Sequence, residues 1–127
     1  MSEIAKRRPK YLNLFEIKLP LPGWVSILHR LSGAGLFLML PVLIWLLSLS
    51  LGSPDSFETF KSVVGHPLVK LILLGLMWAY LHHFCMGIRI LLLDMHIGIE
   101  KEQAWASAVA VLVVSLALTV LLGVKLW

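Results

Sequence analysis

Cysteine is almost missing from this chain: Cys85 is the single one among 127 residues. An intrachain disulfide is thereby excluded, and so are a Cys-x-x-Cys-His haem attachment and a cysteine-ligated iron–sulfur cluster. No Rossmann glycine fingerprint is present, so the sequence offers no such site for a flavin or dinucleotide. Charge is scarce as well. Asp, Glu, Lys and Arg make up 14% of the residues, against roughly 25% in soluble domains. Leu31 to Pro54, Leu71 to Ile88 and Gln103 to Val124 contain none of the four. Each stretch approaches the ~20 residues that a helix needs to cross a bilayer. A removable signal peptide is not expected, because the basic start runs into Pro, Tyr, Asn and Phe rather than into an apolar run with a small-residue cleavage site. Nor does the start read as an amphipathic transit peptide. A bacterial inner membrane is the expected location.

What is present is apolar, at 59% of residues. The expected fold is all-α, a three-span transmembrane helical bundle forming one domain over residues 1–127. Residues 1–22 form an N-terminal segment outside the lipid, and the spans cover about 23–51, 67–94 and 103–126. Lys6, Arg7, Arg8, Lys10 and Lys18 all precede the first span. The positive-inside rule then puts the N-terminus in the cytoplasm and the C-terminus in the periplasm. Pro9, Pro20 and Pro22 rule out a continuous helix before the first span. The alternation in LNLFEIKLP predicts an extended segment along the membrane surface or under a partner. Pro41 lies within span one, where a proline is tolerated and often kinks the helix. Between spans one and two, Asp55 to Val64 has the pattern of a short amphipathic helix with Ser53 as its cap. His66 reads as interfacial and His96 as solvated.

Leu74 to Arg89 reads LGLMWAYLHHFCMGIR. Ionisable side chains at membrane depth are rare and mark sites by default. Histidine is also a haem ligand. Positions four apart share a helix face. Gly75, Ala79, His83 and Gly87 make a face of small residues with one imidazole in it. Trp78, His82, Met86 and Arg89 make a bulky face. A flat macrocycle must lie close to the helix that ligates it, which singles out His83 as the iron ligand and leaves His82 as a polar packing residue. The helix by itself fits equally well a pair of histidines bonded only to a neighbouring helix.

The start of span one reads SILHRLSGAG. Ser26, His29 and Arg30 are three and four apart and so share a face. Ser32, Gly33 and Gly35 follow and leave the next turn open to close approach. Spans one and two are antiparallel neighbours, so this turn and the end of span two meet on one side of the membrane. His83 lies about 16 Å from Asp94 at that end, by the rise of an α-helix. A hydroxyl, an imidazole and a guanidinium together suit a quinone carbonyl or a haem propionate. An arginine snorkelling to headgroups and an interfacial histidine fit the same residues.

SILHRLSG, followed about fifty residues later by H-x-x-x-G-I-R and then D, resembles the cytochrome b556 membrane-anchor family of succinate dehydrogenase (respiratory complex II). The lead-in RPKYLNLFEIKLPLP resembles that family's R-P-x-x-L-x-L-x-x-x-x-x-P, so the likeness runs from Arg8 to the third span. The resemblance implies that His83 is the axial ligand of haem b. It implies that Ser26 and Arg30 belong to the ubiquinone site, and that His29, with Arg30, lies near the haem propionates. The family's further histidine after G-I-R is Ile90 here, and Asp94 falls on an aspartate near the end of span two. The implied function is electron transfer from succinate to ubiquinone as part of a larger complex, with ubiquinone as substrate. The implied partners are a flavoprotein subunit, an iron–sulfur subunit, and a second membrane anchor that shares haem b and supplies the other iron ligand. The other readings are a haem-free structural or assembly anchor, and the anchor of a related fumarate reductase.

Overall fold

Helix α1 spans Leu21–Leu51, α2 Pro54–Gly65, α3 Pro67–Asp94 and α4 Lys101–Leu126. This is a computed structural model that describes residue 11 and residues 13–127. The cations Lys6, Arg7, Arg8 and Lys10, with Pro9, lie outside the described residues. Three of the helices, α1, α3 and α4, are long and apolar enough to cross a membrane. No strand occurs among the described residues. The architecture is therefore all-helical, with a fourth, short helix joining the first two long ones.

Helix ends follow from local chemistry. Pro22 sits in the first turn of α1, where its missing N–H costs no hydrogen bond, so the helix starts at Leu21. Pro41 lies inside α1, yet the helix runs on to Leu51. The 31 residues of α1 extend about 46 Å, well beyond the ~30 Å of a hydrocarbon core. Ser53 caps α2 by accepting the Ser56 N–H at 3.2 Å. Glu58 and Lys61 pair on the surface of α2 at 2.6 Å. His66, given no role from sequence, caps α3: its Nδ1 accepts the Leu68 N–H at 3.2 Å, with Pro67 next in the first turn.

The segment before α1 departs from the extended form expected of it. Asn13 Oδ1 accepts the Phe15 N–H at 3.2 Å, and the Asn13 carbonyl accepts from Glu16 and Ile17, each at 3.2 Å. An Asn side chain that bonds the backbone two residues on makes a turn. That local bond overrides the alternating pattern of Leu14 and Glu16 with Phe15 and Ile17.

Helix α3 is the centre of the bundle and packs against both α1 and α4. Val25, Met86, Ala108 and Val111 form the buried core, with Leu21, Cys85, Ile90 and Leu112 against it. These residues come from the start of α1, the end of α3 and the first half of α4, so the core sits at one end of the bundle. Most large apolar residues elsewhere, Phe37, Leu38, Leu71 and Leu121 among them, face outward. Lipid is as apolar as leucine, so their burial within the chain would bring the bundle little. Arg89 binds α3 to α4. Its Nε donates to Ser107 Oγ at 2.8 Å and one terminal nitrogen to the Ala104 carbonyl at 3.0 Å.

Helix α3 ends in a double turn. The Ile97 N–H reaches the Leu92 carbonyl and the His96 N–H the Leu93 carbonyl, both at 2.9 Å. His96 takes φ 61° to allow this. Such a left-handed helix end is usually a glycine. His96→Gly is expected to stabilise the protein by about 1 kcal/mol, the scale of the left-handed penalty for a residue with a Cβ. Thermal unfolding of the purified protein checks this through a raised Tm.

Candidate functional site

Both histidines of α3 turn toward α1, but they use opposite nitrogens. His82 is fully buried, and its Nε2 lies 3.3 Å from the Val25 carbonyl oxygen. A carbonyl only accepts, so Nε2 carries the proton and donates. His82 Nδ1 then bears a lone pair, and it is buried without a hydrogen-bond partner among the described residues. The Trp78 ring lies against the same imidazole, with centroids 5.2 Å apart. His82 thus belongs to the packed interior of the α1–α3 interface.

His83 is half-buried. Its Nδ1 lies 3.0 Å from the His29 carbonyl oxygen and 3.2 Å from Ser32 Oγ. The same reasoning puts the proton on Nδ1, and the lone pair on Nε2. Ser32 Oγ donates to the His29 carbonyl at 2.8 Å, so one oxygen gathers both donors. The His29 ring stacks on the His83 ring, with centroids 4.1 Å apart and planes within 8°. An imidazole held by Nδ1–H to a carbonyl, with Nε2 left to a metal, is the usual arrangement of a ligating histidine. The residues therefore fit an iron bound at Nε2 of His83, and they do not fit one bound at His82.

The two faces of α3 behave differently. The bulky face goes inward, with His82, Met86 and Arg89 buried. On the small face, a Cβ added at Gly75 or at Gly87 would meet nothing within 4 Å. His83 itself reaches across to Gly33 of α1. A Cβ at Gly33 would come within 2.8 Å of His83 Cε1 and 3.3 Å of Nδ1. A Cβ at 33 would force the imidazole to shift from the place where it reaches the His29 carbonyl.

Ser26 and Arg30 line one pocket of about 360 Å³ together with Leu14, Leu19, Gly23 and Ile27. Leu14 and Leu19 come from the turn and tail before α1, so the N-terminal segment forms a wall of this pocket. His29 does not line it. Although it shares a broad helix face with Ser26 and Arg30, its ring is turned to α3 and His83. The sequence-predicted residues thus fall into two adjoining groups: Ser26 and Arg30 at the pocket, His29 and His83 stacked beside it. Asp94 is exposed at the end of α3, and Cys85 lines an apolar groove between α3 and α4. His96 is exposed in the connection after α3.

Ser32 was not singled out from the sequence beyond its small size. The signal was there: a serine three residues after His29 in a membrane helix turns its hydroxyl back to that carbonyl. Arg89 likewise proves to hold α4. Gly33→Ala is expected to destabilise the protein by about 1–3 kcal/mol, the range for overpacking. Gly35→Ala serves as control, because its Cβ would meet nothing within 4 Å. A Tm lowered in the first variant and unchanged in the second checks the close approach of His83.

Comparison with known proteins covers nearly the whole chain. The family described as succinate dehydrogenase/fumarate reductase transmembrane subunit matches residues 4–122. The succinate dehydrogenase cytochrome b556 subunit of Paracoccus denitrificans is 36% identical over 122 residues, which cover 95% of this chain and 94% of that protein. The subunit of the same name from Coxiella burnetii is 34% identical, over 95% of this chain and 98% of its own. That of Rickettsia felis is 32% identical, over 97% and 96%.

Proposed function

The chain belongs to the succinate dehydrogenase/fumarate reductase transmembrane subunit family, and from that premise we propose that it is the membrane-anchor cytochrome b subunit of a bacterial succinate dehydrogenase. It is a multi-pass protein of the inner membrane, and α1, α3 and α4 are the spans. The orientation we propose has the N-terminus in the cytoplasm and the C-terminus in the periplasm, supported by the cations before α1.

The observation that carries the haem assignment is the split between the two imidazoles. His83 keeps Nε2 for iron while its Nδ1–H is tied to the His29 carbonyl. His82 has both nitrogens inside the protein. Bound haem b supplies a one-electron carrier beside the quinone. This chain holds one histidine so disposed, and the open small face of α3 leaves room for a second helix. A second anchor subunit would bring the other iron ligand there. Stacked on His83, His29 braces the ring, and with Arg30 it would meet the haem propionates.

Ubiquinone is the proposed substrate of the Ser26–Arg30 pocket. The Ser26 hydroxyl can donate to a quinone carbonyl. The Arg30 guanidinium favours the negative charge that forms on that oxygen as electrons arrive. The apolar wall from Leu14, Leu19 and Ile27 accepts the ring and the start of its tail. Succinate oxidation belongs to a flavoprotein subunit, and electrons reach this pocket through an iron–sulfur subunit docked on the cytoplasmic side.

Absorption spectroscopy of the purified complex tests the haem assignment. His83→Ala is expected to abolish or strongly alter the b-type bands, and His82→Ala to alter them less. The reverse order, or a native complex without haem iron, overturns the assignment and leaves the histidines as packing residues. Arg30→Ala is expected to lower succinate-to-ubiquinone turnover by one to two orders of magnitude, the range of about 1.4–3 kcal/mol for a lost charged hydrogen bond. Oxidation of succinate by a soluble artificial acceptor is the reference rate. Normal ubiquinone turnover in that variant removes the quinone site from Arg30.

A further inference from the structure

His82 has no part in the proposed chemistry, yet it sits fully buried at the α1–α3 interface. Burying an imidazole costs free energy when a polar atom stays unbonded, and Nδ1 has no partner among the described residues. Leucine would fill the same volume without that cost. What histidine brings is the Nε2–H bond to the Val25 carbonyl.

The place of that bond along α1 is informative. Val25 and His29 are one helical turn apart, and each accepts from one of the two neighbouring histidines of α3. The residue after each acceptor lines the pocket: Ser26 follows Val25, and Arg30 follows His29. Both polar groups of the pocket are thereby referenced to α3, each by one imidazole one peptide unit away.

We infer that His82 is a positioning residue for quinone binding: by donating to the Val25 carbonyl it sets the α1 turn that carries the Ser26 hydroxyl. His83 does the same for the turn that carries Arg30. The inference rests on the reading of Ser26 and Arg30 as the quinone pocket. It adds a residue that touches neither quinone nor haem and acts through the α1 backbone.

Three substitutions in the whole complex test it, with a short-chain ubiquinone as probe and turnover normalised to haem content. His82→Leu keeps the volume and removes the donor. His82→Gln keeps an N–H as many bonds from Cα as Nε2, whereas His82→Asn carries one too near the backbone to reach Val25. His82→Leu and His82→Asn are expected to raise the KM for the quinone about fivefold with kcat little changed, the scale of one net hydrogen bond. His82→Gln is expected to restore KM to within about twofold. Ser26→Ala should raise KM less in the His82→Leu background than in the wild type, because the hydroxyl is already displaced.

A purely structural role lowers the yield of complex and leaves KM alone. If His82→Leu does not assemble, the Gln and Asn variants carry the same comparison. Equal KM in those two, or a Ser26→Ala penalty independent of residue 82, overturns the inference while the pocket stands. Wild-type KM in both Ser26→Ala and Arg30→Ala removes the pocket and the inference with it.

Discussion

The bundle depends on hydrogen bonds between helices in a solvent that cannot supply them. Apolar side chains gain little by leaving lipid for protein, so packing and polar bonds decide which helices associate. Among the described residues, the bonds between the three long helices all leave α3, while the Ser56 hydroxyl of α2 donates to the Leu49 carbonyl of α1 at 2.9 Å. His82 and His83 reach the carbonyls of Val25 and His29 on α1, and Arg89 reaches Ser107 and Ala104 on α4. Interhelical bonds of this kind contribute roughly 0.6–2 kcal/mol each. Four of them at one end of the bundle, around a core of Val25, Met86, Ala108 and Val111, account for where the chain is packed and where it is not.

The same bonds connect fold and site. The His29 carbonyl already accepts the backbone bond of its own helix, and it gathers donors from His83 and Ser32 as well. A carbonyl loaded in this way cannot move without disturbing all of them. Gly33 is part of the same device, since any Cβ there would push His83 away. Steric and electrostatic demands thus meet on one turn of α1, from His29 to Gly33. The pocket of Ser26 and Arg30 opens directly beside that turn.

Much of this was legible in the sequence, for physical reasons that differ from residue to residue. The three charge-free stretches mark the long helices, because lipid forbids what those stretches lack. Spacing by four separated His83 from His82, yet both rings turn to α1, where they bond carbonyls one helical turn apart. Spacing did not reveal that the two rings use opposite nitrogens, because this depends on which carbonyls α1 presents. Ser26, His29 and Arg30 share a face on paper, yet a ring wide enough to stack on His83 turns away from the other two. The turn at Asn13 was hidden behind an alternating pattern that a single side-chain bond overrides. His96 at φ 61° was hidden because its helix end is one where sequence leads a reader to look for glycine.

In the proposed complex one imidazole would serve as both iron ligand and helix tether, and the geometry indicates why. A haem ligand needs a fixed ring plane, a defined tautomer and a basic free nitrogen. The Nδ1–H bond of His83 to the His29 carbonyl supplies all three, and it is also a bond that joins α1 to α3. In the proposed complex, loss of that bond loosens the ring and the turn bearing Arg30 together. Iron and quinone would then need no separate linkage to respond to one another, because the imidazole proposed to hold the iron is tied to the same stretch of α1 that carries Arg30. The small face of α3, open at Gly75 and Gly87, completes the picture. In the proposed complex this chain would build half of the cradle, the half its own hydrogen bonds can hold rigid.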